Sequence, residues 1–175
     1  MLGNKIEKGA LVFSMVALVG VCALPLQASA ECQLLSSHAG NAPLPIKAVE
    51  SDTPEAKSFL ETCKNPYTKI YAADPAAALA GKKKFGLYSC IACHGGDAGG
   101  LVAKGLTQDK WALAKNTTDK GMFETIAAGT DNGMVGWHQQ VLNNPDLVST
   151  DEILKIIGWI RSMYKGGDDR PWLKE

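Results

Sequence analysis

Residues 89–96 read SCIACHGG. Cys90 and Cys93 stand two residues apart, and His94 follows the second directly. Three chemistries use such a run: half of a zinc site, a dithiol redox pair, or the attachment point of a haem. The rest of the chain decides between them.

Export is the first piece of context. Lys5 and Lys8 give a basic start, residues 9–24 are almost wholly apolar, and Ala28-Ser29-Ala30 supplies a small-residue cleavage pattern. Residues 1–30 therefore read as a secretory signal peptide, and the periplasm is the expected location. The apolar run is near the lower limit for a membrane anchor. A lipoprotein site at Cys22 would want a small residue where Val21 stands. Cleavage is preferred to both, with no stable membrane insertion afterwards. The processed chain has 16 basic and 17 acidic residues, a net charge of −1. That balance gives no attraction to nucleic acid or anionic lipid.

Export also constrains the cysteines. Cys32, Cys63, Cys90 and Cys93 remain after cleavage, and free thiols rarely persist in an oxidising compartment. Residues 31–74 form an extension with little regular pattern, bracketed by Cys32 and Cys63. A disulfide between these two would staple a segment too polar to hold itself.

A zinc site needs four ligands, usually from two such pairs, and the other cysteines are at least 27 residues upstream. A thioredoxin-type dithiol follows a strand in an α/β fold, and no strand pattern is present. C-x-x-C-H is also the c-type haem attachment sequence. Thioethers at Cys90 and Cys93 would force His94 under the iron as proximal ligand. One motif means one haem c, covalently bound. Gly95, Gly96, Gly99 and Gly100 would let the chain pass close to the porphyrin.

Where the chain shows a periodicity, it is helical. TPEAKSFLET (53–62) opens with a cap and a first-turn proline. Asp74-Pro75 predicts a helix running toward Cys90, with Leu79, Ala80 and Phe85 on one side. A further helix is predicted from Asp119, with Met122, Phe123, Ile126 and Ala127 as its apolar side and Gly129 as its stop. Ser149 and Glu152 form a capping box. Ile153, Ile156, Ile157, Ile160 and Tyr164 follow at helical spacing, and Gly166-Gly167 closes the run. The expected organisation is a signal peptide (1–30), an extension (31–74), an all-α haem domain (75–165) and a tail (166–175).

The far side of the iron decides what a haem does. Met122 and Met163 fall on apolar helix faces and read as core. Met134 lies in the loop TDNGMVGWHQQ between Gly133 and Gly136, and is the expected distal ligand. His138 is its rival, though it reads better as a polar surface residue. His38 reads as an ordinary loop histidine. With His94 and Met134 both on the metal, substrate has no access to the iron. That favours one-electron transfer over an enzyme with its own active site.

AGKKKFGLYSCIACHG, GMVGW and the C-terminal amphipathic helix together resemble a class I c-type cytochrome over residues 75–165. NTTDKGMFETIAAGTDNGM (116–134), with Trp111 before it, is similar to the cytochrome cL family. The resemblance implies an all-α class I fold with a disulfide-stapled N-terminal extension, its first and last helices crossing near Gly81, Phe85 and Trp159. It implies a donor, a pyrroloquinoline-quinone methanol or alcohol dehydrogenase. It also implies an acceptor, a small soluble c-type cytochrome. Met134, Val135 and Trp137 would form the apolar part of the docking face. Lys82 to Lys84 are either a steering patch or a solvated helix face. Two departures stand out. Lys104 occupies the place of a proline whose carbonyl orients the proximal histidine, so a carbonyl at Ala103 or Lys104 would have to serve. Val135 replaces the proline that usually follows the axial methionine. The alternative function is a haem c subunit of another periplasmic oxidoreductase or respiratory complex.

Overall fold

A computed structural model describes residues 1 and 32–174 of the chain. Apart from Met1, the expected signal peptide lies outside the described residues. Among those residues the fold is helical: α1 (Pro54–Thr62), α2 (Pro66–Ala73), α3 (Leu79–Leu87), α4 (Ile91–His94), α5 (Asp119–Ala128) and α6 (Thr150–Ser162), with three short 3-10 turns. Only isolated β-bridges occur besides. No described helix is long and apolar enough to cross a membrane.

α6 is the axis. Its capping box is present as the sequence requires, with Ser149 and Glu152 satisfying each other's backbone N–H groups. Ile153, Ile156, Ile157 and Ile160 are fully buried. Tyr164 lies beyond the helix, which stops at Ser162 before the glycine pair.

α3 crosses α6 at Gly81, as the resemblance implied. A Cβ at position 81 would lie 2.0 Å from the Lys155 carbonyl oxygen, so the two backbones touch there. One turn on, Phe85 stacks against Trp159 with ring centroids 4.9 Å apart. The start of α3 differs from expectation. The Asp74 carboxylate accepts from the N–H groups of Ala76 and Ala77, holding residues 75–78 in a turn. The helix begins only at Leu79, and Leu79 and Ala80 face solvent. The face against α6 is Gly81 and Phe85.

The extension is more ordered than its polarity suggested. Thr53 caps α1 as read, and Cys63 ends it in the left-handed conformation. The sequence reading missed α2, which repeats the same signal, an Asn65 cap before Pro66. Tyr67 and Tyr71 of α2 press on Gly158 of α6, where a Cβ would meet the Tyr71 ring at 2.8 Å. The Cys32–Cys63 disulfide is formed, with Cα atoms 5.1 Å apart.

Across these elements runs a buried ion pair. Arg161 of α6 donates to Asp119 of α5 at 2.8 Å and to the Asn116 carbonyl at 2.9 Å. Thr68 of α2 donates to the other Asp119 oxygen. The guanidinium stacks on Trp111 and on Trp172, at 4.9 and 4.2 Å.

Gly81→Ala tests the crossing. Alanine would gain up to about 1 kcal/mol of helix propensity. The clash with backbone costs about 1–3 kcal/mol or more, because neither helix can yield locally. Thermal denaturation should show a net loss of stability, and an unchanged or raised melting temperature would overturn the contact.

Candidate functional site

Ser89 takes a left-handed backbone, φ 58°, directly after α3. That residue turns the chain so that Ile91–His94 forms a separate helical turn presenting Cys90, Cys93 and His94. Neither cysteine is in a disulfide; Cys90 is half-buried and Cys93 exposed. Burial pushes the Cys90 thiol up to about 11. A redox dithiol needs the opposite shift, toward an available thiolate. No group of three or more His, Cys, Asp or Glu among the described residues is arranged to hold a metal ion. The zinc and dithiol readings therefore have no support in the geometry.

The chain then folds back under the histidine. Gly100 N–H donates to the His94 carbonyl, and Ala103 N–H to the Cys93 carbonyl, both at 2.9 Å. Gly95 and Gly100 take positive φ, 77° and 105°, in this loop, which brings the Lys104 carbonyl to 3.0 Å from His94 Nδ1. A carbonyl can only accept, so Nδ1 carries the proton and Nε2 keeps its lone pair. Lys104 stands where the resemblance expected a proline, and its backbone does the orienting. An imidazole Nε2 fixed beside two free thiols is the donor set that a covalent c-type haem requires. The chain fits that group. Leu101 and Val102 of the same loop are 70% and 80% exposed, apolar surface next to the expected cofactor.

Met134 lies on a second loop. α5 ends at Gly129, where φ is 81° and a Cβ would come within 2.4 Å of the Met134 carbonyl, so only glycine fits. Thr130 N–H donates to that carbonyl at 2.8 Å, and Met134 N–H reaches the Thr130 hydroxyl. Trp137 N–H donates to the Ile126 carbonyl at 3.0 Å. The Met134 side chain packs against the core, and Val135 beside it is 64% exposed. Met122 is buried in the core as read, and Met163 packs against it.

His138 corrects the sequence reading. It is fully buried rather than a surface residue. Nδ1 accepts from the Gln140 N–H at 3.1 Å, so Nε2 carries the proton and donates to the Thr150 hydroxyl at 3.0 Å. Both nitrogens are engaged, and the ring ties the loop to the start of α6. His38 is not an ordinary loop histidine either. Its Nε2 donates to the Ala128 carbonyl at 2.9 Å. Lys84 is taken up by Glu152, at 2.6 Å, while Lys82 and Lys83 face solvent. Two surface concavities, about 250 and 310 Å³, border Trp172, and neither includes a residue of the CIACH run.

Cytochrome c-L of Methylorubrum extorquens is 40% identical over 125 residues, 71% of this chain. The chain spans 57% of that relative's length. The crystal structure of cytochrome cL from Methylophaga aminisulfidivorans matches with a TM-score of 0.64 at 32% identity, over 81% of this chain and 87% of that one. Cytochrome cL from Hyphomicrobium denitrificans matches at 0.65 and 31% identity, over 79% and 77%. No protein-family model matches. The chain belongs to the cytochrome cL family. A class I cytochrome c fold with a stapled extension is thereby shown, and the cytochrome cL relationship implies haem c as cofactor.

Burial holds His138 down at about 4, against an ordinary 6.5, with the Asp52 carboxylate opposing. Above pH 6.5 the ring is neutral in both folded and unfolded chains. Below it the unfolded chain binds a proton that the folded one refuses until about pH 4. Stability is therefore present above 6.5 and lost as the pH falls through that window, by on the order of 3 kcal/mol. His138→Gln should flatten the melting-temperature profile between pH 6.5 and 4. A profile as steep as that of the unaltered protein would contradict the assignment.

Proposed function

We propose that this cytochrome carries single electrons in the periplasm, from a pyrroloquinoline-quinone methanol or alcohol dehydrogenase to a small soluble c-type cytochrome. Cys90 and Cys93 would hold one haem c through thioethers, and His94 Nε2 and the Met134 sulfur would ligate its iron. The observation that carries the reading is the His94 Nδ1 bond to the Lys104 carbonyl, which leaves Nε2 free beside two unpaired cysteines.

The haem supplies a one-electron redox couple. The chain does the rest. His94 is held in one tautomer by Lys104, which raises its basicity as a ligand. Met134 would be the second ligand, and its thioether would favour a higher potential than a second histidine. His138, neutral and bonded at both nitrogens, stays out of competition. The exposed apolar side chains of Leu101, Val102 and Val135 offer a small contact area suited to brief docking. The donor loses two electrons per alcohol, so the carrier must dock and leave twice for each turnover. Lys82 and Lys83 are the lysines of their run left for steering, since Lys84 is paired.

Stopped-flow mixing of the oxidised cytochrome with a quinoprotein methanol dehydrogenase and methanol is the test. Fast, saturable, salt-sensitive reduction at the haem α-band is expected. No reduction of a protein that dithionite still reduces would remove this donor and point to a bound subunit of another oxidoreductase. Met134→Ala should abolish the weak near-infrared sulfur-to-iron band of the oxidised protein, and its persistence would remove Met134 from the iron.

A further inference from the structure

The end of α5 leaves carbonyls that the helix itself cannot satisfy. Gly129 N–H takes the Thr125 carbonyl at 2.9 Å. The Ile126 and Ala127 carbonyls accept from Trp137 N–H, and Ala127 also from His138 N–H at 3.3 Å. Ala128 accepts from His38 Nε2, which arrives from 90 residues upstream. The Met134 loop and the extension therefore share one helix end.

The extension holds that position from several sides. Its start is fixed by Cys32–Cys63. Leu35 N–H donates at 2.8 Å to Glu124, a carboxylate buried in α5. Leu34 and Leu44 pair across a tight return, with Leu44 N–H on the Leu34 carbonyl at 2.9 Å. Further along, the Lys47 backbone bonds the Gln140 amide twice, at 2.8 and 2.9 Å. Residues 32–47 thus touch the chain just before Met134, at Ala128, and just after it, at Gln140. A strap fixed at both ends of a loop limits how far that loop can swing.

We propose that His38 is a positioning residue for the distal side of the haem, and that the strap of residues 32–47 keeps Met134 at the iron by anchoring both ends of its loop. The inference rests on the Met134 reading of the proposed function. Removing the His38 donor leaves a helix-end carbonyl without its partner and frees the loop to open.

Imidazole binding to the oxidised holoprotein reads that opening, because an added ligand can enter only when Met134 leaves, and its apparent affinity scales with the open fraction. His38→Ala should bind imidazole about tenfold more tightly, the expected consequence of leaving one acceptor unpaired. His38→Gln, which can still donate to Ala128, should recover most of the original affinity. Ile157→Val, a conservative change on the buried face of α6, controls for general destabilisation and should leave imidazole binding unchanged. If His38→Ala does not accumulate, Gln140→Ala cuts the other tie and should loosen the loop in the same direction. A sulfur-to-iron band in the unaltered protein combined with unchanged imidazole affinity in His38→Ala or Gln140→Ala overturns the strap. Absence of that band in the unaltered protein overturns the Met134 reading instead.

Discussion

The contact between the Gly81 backbone and the Lys155 carbonyl fixes where the CIACH turn stands. A side chain of any size at 81 would separate α3 from α6 and move Cys90 with it. The approach is then locked in rotation. Phe85 fills the angle against Trp159, and Glu152, the capping residue of α6, takes Lys84 at 2.6 Å and the Tyr88 hydroxyl at 2.8 Å. Burial alone would raise the Glu152 carboxyl, but hydrogen bonds from Lys84, Ser149 and Tyr88 outweigh it and hold it at about 2. The same carboxylate caps one helix and aligns the last turn of the other. His94 is placed by these few bonds and then oriented by the Lys104 carbonyl.

The Met134 loop is placed through a different connection. α5 meets α6 through Arg161 and Asp119, both about 1% exposed at the side chain. Two charges taken out of water cost several kcal/mol each, so such a pair adds little to stability beyond what a well-packed apolar pair would give. Its geometry carries the consequence. Asp119 is held by α2 and α6 at once, and Arg161 by the Asn116 carbonyl and two tryptophans. Only one register of the three helices satisfies every partner. The Met134 loop hangs from the far end of α5. His94 and Met134 are therefore set by two separate attachments to the same helix, α6.

Local signals made much of this legible. The Ser149–Glu152 box, the isoleucine stripe and the Thr53-Pro54 cap act over a few residues, and the structure has each element they imply. α2 was equally legible, since Asn65-Pro66 repeats the Thr53-Pro54 signal, but the polarity of the surrounding segment masked it. Asp74 shows the opposite error. Its side chain captured two N–H groups and made a turn where Asp-Pro suggested a helix start. The roles of His38 and His138 could not be read at all. Each depends on a partner that sequence does not place beside it, a carbonyl 90 residues away for one and a hydroxyl 12 residues away for the other. A histidine in a polar loop looks the same whether it is solvated or sealed in.

The extension makes physical sense only as part of the haem domain's support. The Met134 loop has little cover of its own, since Val135 and the three residues before Met134 are exposed. Something outside the loop must restrict it. Closing 31 residues with Cys32–Cys63 limits the unfolded chain by about 3–4 kcal/mol in the chain-entropy view, which suits an oxidising compartment. That restriction would be wasted on a free-standing tail. It acts on the distal loop because α2 grips α6 at Gly158 while the strap reaches α5 at Ala128 and the loop at Gln140. The segment that seemed too polar to fold by itself is ordered by the surfaces it fastens, and fastening them is what it contributes.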